Sequence, residues 1–406
     1  MKETPIANRL QIGIFGKRNV GKSSFINAIT GQNIAIVSDV AGTTTDPVGK
    51  TMEIKGIGPV YLYDTAGLDD IGDLGKKRVE RTKEIIKKIN LAVIISTFSD
   101  FDETDEALIH DLVARGKNVI VFFNKSDLQR PDEEKPPILE KYGIRHLSIS
   151  CLSGKNIEEA KKLIVDIGSK IFVEKETIIG DIINHGDLVL MVVPIDLGAP
   201  KGRLILPQVQ IIRDILDNDA IAVTAKEREI EYVMENLRKK PDLVICDSQV
   251  VLKVSGDIPP DVKFTTFSIL FSRHKGELTE FVRGVKQIDR LEDNDKVLIM
   301  EACTHHPVAD DIGRVKIPRW VKQYTGKNII FETNAGPMVQ KDITRYDLLI
   351  SCGGCMINRQ EMLSRIDEAK KCKVPITNYG VAISYVHGVL KRALSPFPYE
   401  RSLLDE

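Results

Sequence analysis

At 406 residues the chain is longer than one ordinary domain, and length alone suggests about two to four. Its 42% apolar content is ample for packed cores, while a formal net charge of −1 excludes a whole-chain basic field that would gather nucleic acid or anionic lipid. No apolar run approaches the roughly 18 residues needed to cross a bilayer, and Met1-Lys2-Glu3-Thr4-Pro5 carries no apolar signal region, so a cytoplasmic protein with neither membrane nor nucleic acid as partner is expected. The six cysteines, at 151, 246, 303, 352, 355 and 372, are scattered, which in a reducing compartment favours metal ligation or inert thiols over disulfides.

The first predicted strand, Leu10 to Phe15, breaks into Gly16-Lys17-Arg18-Asn19-Val20-Gly21-Lys22-Ser23-Ser24 and an amphipathic helix from Phe25 to Ile29. This is G-x-x-x-x-G-K-S in its strand-loop-helix setting. Glycines at both ends let successive N–H groups face phosphate oxygens, Lys22 spans the β- and γ-phosphates, and the Ser23 hydroxyl reaches Mg²⁺. Leu62-Tyr63-Asp64-Thr65-Ala66-Gly67 then ends a strand with an acid that can hold Mg²⁺ through water and a glycine whose N–H can meet the γ-phosphate. Val119 to Phe123 leads into Asn124-Lys125-Ser126-Asp127, where a carboxylate can accept two hydrogen bonds from the guanine edge, which adenine lacks. Ser148-Ile149-Ser150-Cys151-Leu152 offers a backbone N–H for guanine O6.

Four pieces at these spacings, across residues 8 to 170, resemble the translation-factor-like class of small GTPases, with GTP and Mg²⁺ as the implied ligands. Thr44 sits where the switch I threonine of Era, EngA and MnmE-like GTPases closes over Mg²⁺ and the γ-phosphate, so that resemblance makes Lys22, Thr44 and Gly67 the catalytic set. These families usually carry arginine where this chain has Thr45. Leu68 stands where Ras-like enzymes keep a glutamine that orients water, and Asn19 matches the asparagine that helps several glutamine-lacking GTPases hold K⁺. Slow, K⁺-stimulated hydrolysis is the expectation. The charged helix Asp73 to Lys88 reads as a solvated face rather than a docking surface.

Beyond residue 175, apolar runs at Leu188 to Val193, Ala220 to Val223 and Leu243 to Cys246 alternate with helical patterns at Gln208 to Leu216 and Glu227 to Leu237, predicting a small parallel sheet. Gly198 to Arg203 reads as a turn, and no catalytic constellation stands in this stretch, so it is assigned to dimerisation. A strand-like stretch from Lys263 to Leu270 leads on to predicted strands at Val297 to Met300, Ile329 to Phe331, Leu348 to Ile350 and Pro375 to Thr377. Helices are expected at Leu278 to Ile288, Gln360 to Lys371 and Val381 to Leu394. The expected class is α/β in three domains: a P-loop GTPase domain (1–175), a small α/β dimerisation domain (176–265) and an α/β iron–sulfur domain (266–406).

Two cysteine segments follow predicted strand ends in the last domain: Cys303-Thr304-His305-His306-Pro307 and Ser351-Cys352-Gly353-Gly354-Cys355-Met356. One sheet edge can bring them together. Three cysteines with a nearby histidine suit zinc, or a 4Fe-4S cluster with a non-cysteine fourth ligand; the long spacer departs from zinc ribbons and fingers, and ligand chemistry favours iron–sulfur. His305, His306, Glu301 and Asp310 compete for the fourth position, while Cys246 and Cys372 read as structural.

With the GTPase and middle domains, Cys-x-His and Cys-x-x-Cys together resemble the HydF family of FeFe-hydrogenase maturation GTPases across the whole chain. That resemblance implies a scaffold that binds a 4Fe-4S cluster through Cys303, Cys352 and Cys355, with His305 as candidate fourth ligand. It further implies a homodimer or larger assembly that receives a diiron precursor from the radical SAM maturases HydE and HydG and delivers it to apo FeFe-hydrogenase. The family often has histidine where this chain has Ser351. The alternative is a ribosome- or RNA-associated GTPase with a C-terminal zinc-binding interaction domain.

Overall fold

The computed structural model describes residues 6–30, 49–65, 82–128, 136–173, 177–194, 204–302, 311–336, 342–354 and 357–406. Thr44, Thr45, Gly67, Leu68, Cys303, His305, His306, Asp310 and Cys355 lie outside them, as do residues 73–81 of the expected charged helix and the Gly198 to Arg203 turn. The chain divides into two compact units, residues 1–175 and 176–406.

In the first unit the strands are β1 (Leu10–Phe15), β2 (Gly49–Ile54), β3 (Gly58–Asp64), β4 (Leu91–Ser96), β5 (Asn118–Phe123) and β6 (Arg145–Ser148), of which β1, β4 and β5 are rich in β-branched and aromatic residues. They form one sheet in the order β2-β3-β1-β4-β5-β6, antiparallel only between β2 and β3. β1 and β4 are buried at every residue, as strands covered on both faces must be. Alternation sends neighbouring side chains to opposite faces. Phe122 packs at a tilt against Phe25 at 5.2 Å on one side, and Phe123 stacks on Phe98 at 4.1 Å on the other.

The second unit holds two four-stranded, wholly parallel sheets. The first contains β7 (Leu188–Val192), β8 (Ile221–Ala225), β9 (Leu243–Cys246) and β10 (Lys263–Thr266), ordered β10-β9-β7-β8. The second contains β11 (Lys296–Glu301), β12 (Ile330–Ala335), β13 (Leu348–Ser351) and β14 (Ile376–Asn378), ordered β12-β11-β13-β14. Each sheet starts at an inner strand and reverses direction once, between β7 and β9 in one and between β11 and β13 in the other. Open α/β sheets bind ligands outside the strand C-termini at such a reversal.

Local chemistry corrects two expectations. The strand-like stretch to Leu270 stops at Thr266, whose hydroxyl accepts from Ile269 N at 3.1 Å and starts the helix Phe267–Lys275. The helix expected over Val381 to Leu394 is two, Tyr379–Val386 and Leu390–Ala393, with a turn at His387-Gly388. One hydrophobic core runs from Ile178 to Leu403 through both sheets. Among the described residues no helix is long and apolar enough to cross a membrane.

Candidate functional site

In the first unit, β1 delivers the chain to the loop before the helix Lys22–Thr30. Lys22 Nζ lies over that loop, donating to Gly16 O at 2.8 Å and Lys17 O at 2.7 Å. Asp64, at the end of β3, accepts a hydrogen bond from Ser23; burial pushes its carboxyl pKa up, an effect that Lys22, Lys50 and Ser23 only partly oppose. A hydroxyl and a carboxylate meeting beside a lysine make a hard-oxygen donor set, which fits Mg²⁺.

Asn124 ties two loops together where the guanine pocket is expected. Its side chain donates to Val20 O at 2.9 Å and accepts from Cys151 N at 3.0 Å. The approach is so close that a Cβ on Gly21, which has φ +99, would stand 2.2 Å from Asn124 Nδ2. Only glycine serves there. Asp127 remains exposed beside this frame, and Ser150 N donates to Lys155 O at 3.0 Å, closing the following loop. Burial, reinforced by Asp127, pushes the Cys151 thiol up to about 11, so it stays neutral. Asn19 is exposed with φ 63.

Sequence reading passed over Lys17. Its ammonium reaches Asp102 at 2.6 Å, Asp105 at 3.5 Å and Asp100 O at 2.5 Å, joining the phosphate loop to the capping box of the helix Glu103–Ala114. The signal was a cation in the loop and three aspartates some 85 residues later, a pairing that spacing alone does not reveal.

In the second unit, polar side chains crowd the C-terminal ends of β11 to β14. Cys352 follows β13, and its amide donates to Met300 O at 2.9 Å. Its sulfur accepts from Ala302 N at 3.1 Å, which brings the second cysteine segment to the residue before Cys303. Glu301, buried at the end of β11, is held by Arg314 through contacts of 3.2, 3.2 and 2.7 Å, so its carboxylate is already occupied and is a poor competitor for a fourth metal position. Arg365 is buried nearby within the electrostatic reach of Cys352 and donates to Gly336 O at 3.0 Å. Burial pushes its guanidinium down, opposed by Cys352, Glu361 and Glu368.

Among the described residues no three His, Cys, Asp or Glu side chains stand together as a metal group. Cys246 is fully buried with its thiol pushed well up, and Cys372 sits at the end of the helix Arg359–Cys372, neither near a second cysteine segment in the chain.

Residues 178–276 match the family model described as the hydrogen maturase F dimerization domain, and residues 279–396 match the hydrogen maturase F tetramerization domain. Together the two take in more than half of the chain. The chain belongs to the hydrogen maturase F family. Ahead of the maturase F domains, residues 11–125 match the 50S ribosome-binding GTPase model, so the chain also carries a P-loop GTPase domain. Curated relatives of that domain include the tRNA modification GTPase MnmE of Clostridioides difficile (strain 630), 39% identical over 152 residues, 37% of this chain and 32% of the relative. MnmE of Bacillus thuringiensis (strain Al Hakam) is 34% identical over 156 residues, 38% of this chain and 33% of the relative. This maturase F chain thus spans about a third of the length of these relatives. A similar solved structure is the G domain of the T. maritima FeoB iron transporter, with 20% identity and a TM-score of 0.31 over 39% of this chain and 98% of that one.

Proposed function

We propose that this chain is a GTP-hydrolysing scaffold that binds a 4Fe-4S cluster, assembles on it the diiron precursor of FeFe-hydrogenase and delivers that precursor to the apo-enzyme. The observation that carries the reading is the contact between Cys352 Sγ and Ala302 N, 3.1 Å, at the mouth between β11 and β13. It suits a site in which Cys303, Cys352 and Cys355 contribute thiolates and His305 is the candidate for the remaining position. When bound, such a cluster supplies one iron with an exchangeable ligand, to which an incoming iron complex can be anchored. The buried Arg365 guanidinium, within electrostatic reach of Cys352, suits an anionic cargo.

On the GTPase side, Lys22 bridges phosphates, Ser23, Asp64 and Thr44 serve Mg²⁺, Gly67 meets the γ-phosphate, and Asn124, Lys125 and Asp127 read guanine. Gly16, Val20, Gly21 and Ser24 line the phosphate loop, and the Ser150-Cys151 turn borders O6. Asn19 is the K⁺ contact, and hydrolysis is slow until K⁺ is supplied. Nucleotide state orders the switch loops and so times the docking of HydE, HydG and the hydrogenase. The two maturase F matches favour this reading over an RNA-associated GTPase with a zinc module.

The test is anaerobic reconstitution with iron and sulfide, followed by metal analysis and EPR. About four irons per chain are expected, lost in a Cys303→Ala/Cys352→Ala/Cys355→Ala variant. Zinc in their place, or iron retained by the variant, overturns the cluster reading.

A further inference from the structure

A lysine from outside the cysteine segments holds the Cys-x-x-Cys loop. Lys275 ends the helix Phe267–Lys275 and is only 4% exposed. Its ammonium donates to Gly354 O at 2.8 Å and Ile357 O at 3.0 Å, the two carbonyls that bracket Cys355 in sequence. A buried ammonium is costly unless its protons are satisfied, so this lysine is committed to the loop rather than to solvent. Gly354 O also accepts from Ile357 N at 3.2 Å, so the lysine reinforces the loop's own turn. Gly354 has φ +64, and a Cβ there would meet Met362 Cε at 2.7 Å, so the turn has little room to re-form in another shape.

The connection runs both ways. Arg359, in the first turn of the helix after the loop, donates to His274 O at 2.7 Å, Gly276 O at 3.3 Å and Arg273 O at 3.4 Å. These are carbonyls at the C-terminus of the lysine's helix, which have no partner within that helix. Lys275 therefore satisfies the cysteine loop while Arg359 satisfies the helix that presents Lys275. Lys275 falls inside the dimerization-domain match and Arg359 inside the tetramerization-domain match.

We propose that Lys275 is a positioning residue of the cysteine loop: it holds the backbone on either side of Cys355 and places a fixed positive charge beside the metal site. Its second half rests on the cluster reading above; its first half does not. The first middle-domain sheet thereby supplies part of the scaffold for ligands carried by the last one. A change of packing at the helix Phe267–Lys275 reaches the loop through two hydrogen bonds.

The test uses the full chain and compares Lys275→Met, which keeps the length of the stem but removes charge and donors, with Lys275→Arg. Hydrogen exchange on the metal-free protein reads the loop directly. The Ile357 amide is expected to exchange about tenfold faster in Lys275→Met, with recovery in Lys275→Arg. Unchanged exchange overturns the positioning role whether or not a cluster binds, and circular dichroism and sedimentation identify a variant that has lost its fold. For a misfolded Lys275→Met, Lys275→Gln replaces it: its shorter, uncharged amide cannot span both carbonyls, so Ile357 exchange should again speed, and no change overturns the proposal. In reconstituted protein the cluster potential of Lys275→Met should fall below wild type, because removing a cation disfavours the electron-rich state. An equal potential overturns the electrostatic half, whereas a wild-type chain that takes up no iron overturns the cluster reading and leaves exchange at Ile357 to decide the loop claim.

Discussion

Asp127 is left exposed by a frame that holds its neighbours: Asn124 joins Val20 and Cys151, and Ser126 N donates to Ile149 O at 3.1 Å. Its carboxylate offers acceptors only, which suits the two donors of the guanine edge. Replacing it with asparagine substitutes a donor for one acceptor. Asp127→Asn should weaken GTP up to about 100-fold, from the loss of one charge-assisted bond of about 1.5–3 kcal/mol, and improve binding of xanthosine triphosphate, whose O2 accepts. Isothermal titration with both nucleotides checks this, and unchanged GTP affinity counts against the pocket. Cysteine chemistry separates the thiols at the same scale. Burial raises Cys151 to about 11 and pushes Cys246 well above the usual thiol range, so their thiolate fractions at pH 8 are small. Both should resist iodoacetamide in the reduced native protein and react on unfolding, as peptide mass mapping would show; rapid native labelling of either one contradicts its assigned environment.

Among the elements, the helix Leu206–Asp217 carries apolar residues on two sides. Ile211 and Ile215 are buried in the core, but Val209 is 48% and Leu216 55% exposed. The following edge strand, β8, exposes Ile221 at 54%. An unpaired edge beside an apolar stripe is a ready association surface, and it lies within the dimerization-domain match. Leu216→Glu and Ile221→Lys should each shift the assembly toward smaller species by sedimentation velocity without changing the circular dichroism spectrum. Unaltered assembly in the double variant would remove this face from consideration. Periodicity gave the helix, because Ile211 and Ile215 recur at helical spacing, but it could not say which of its apolar residues face the core or that β8 is an edge. Nor could it separate strand from helix over Lys263 to Leu270. Phe267, Ile269, Leu270 and Phe271 satisfy either pattern, and the cap at Thr266 decides.

For the whole molecule, residues 176–406 share one core across two sheets, whereas residues 1–175 have cores of their own. Cooperativity should follow the cores. Chemical denaturation is expected to show two transitions, and GTP with Mg²⁺ should raise the midpoint of the one assigned to residues 1–175, since a ligand stabilises only the fold that binds it. Residue-resolved hydrogen exchange assigns the transitions. Separate unfolding of residues 176–276 and 279–406 would show that their common core is weaker than its continuity indicates. The half-buried contacts from Arg392 to Ile258 O and Pro259 O, at 2.8 and 2.9 Å, are among those that such a separation would have to break.

The sequence by itself determined what depends on neighbours along the chain: the phosphate loop between strand and helix, the guanine motif after β5, the apolar strands, and the pairing of a cysteine with each of two strand ends. Tertiary structure decided what depends on residues far apart in number. It set the strand order that places β11 beside β13, tied Glu301 to Arg314, joined Lys17 to its aspartates, and brought Lys275 to the loop 79 residues away. The physical reason is that turns, caps and periodicity act over a few residues, whereas a buried charge takes whatever partner the packing of the sheets brings within about 3 Å.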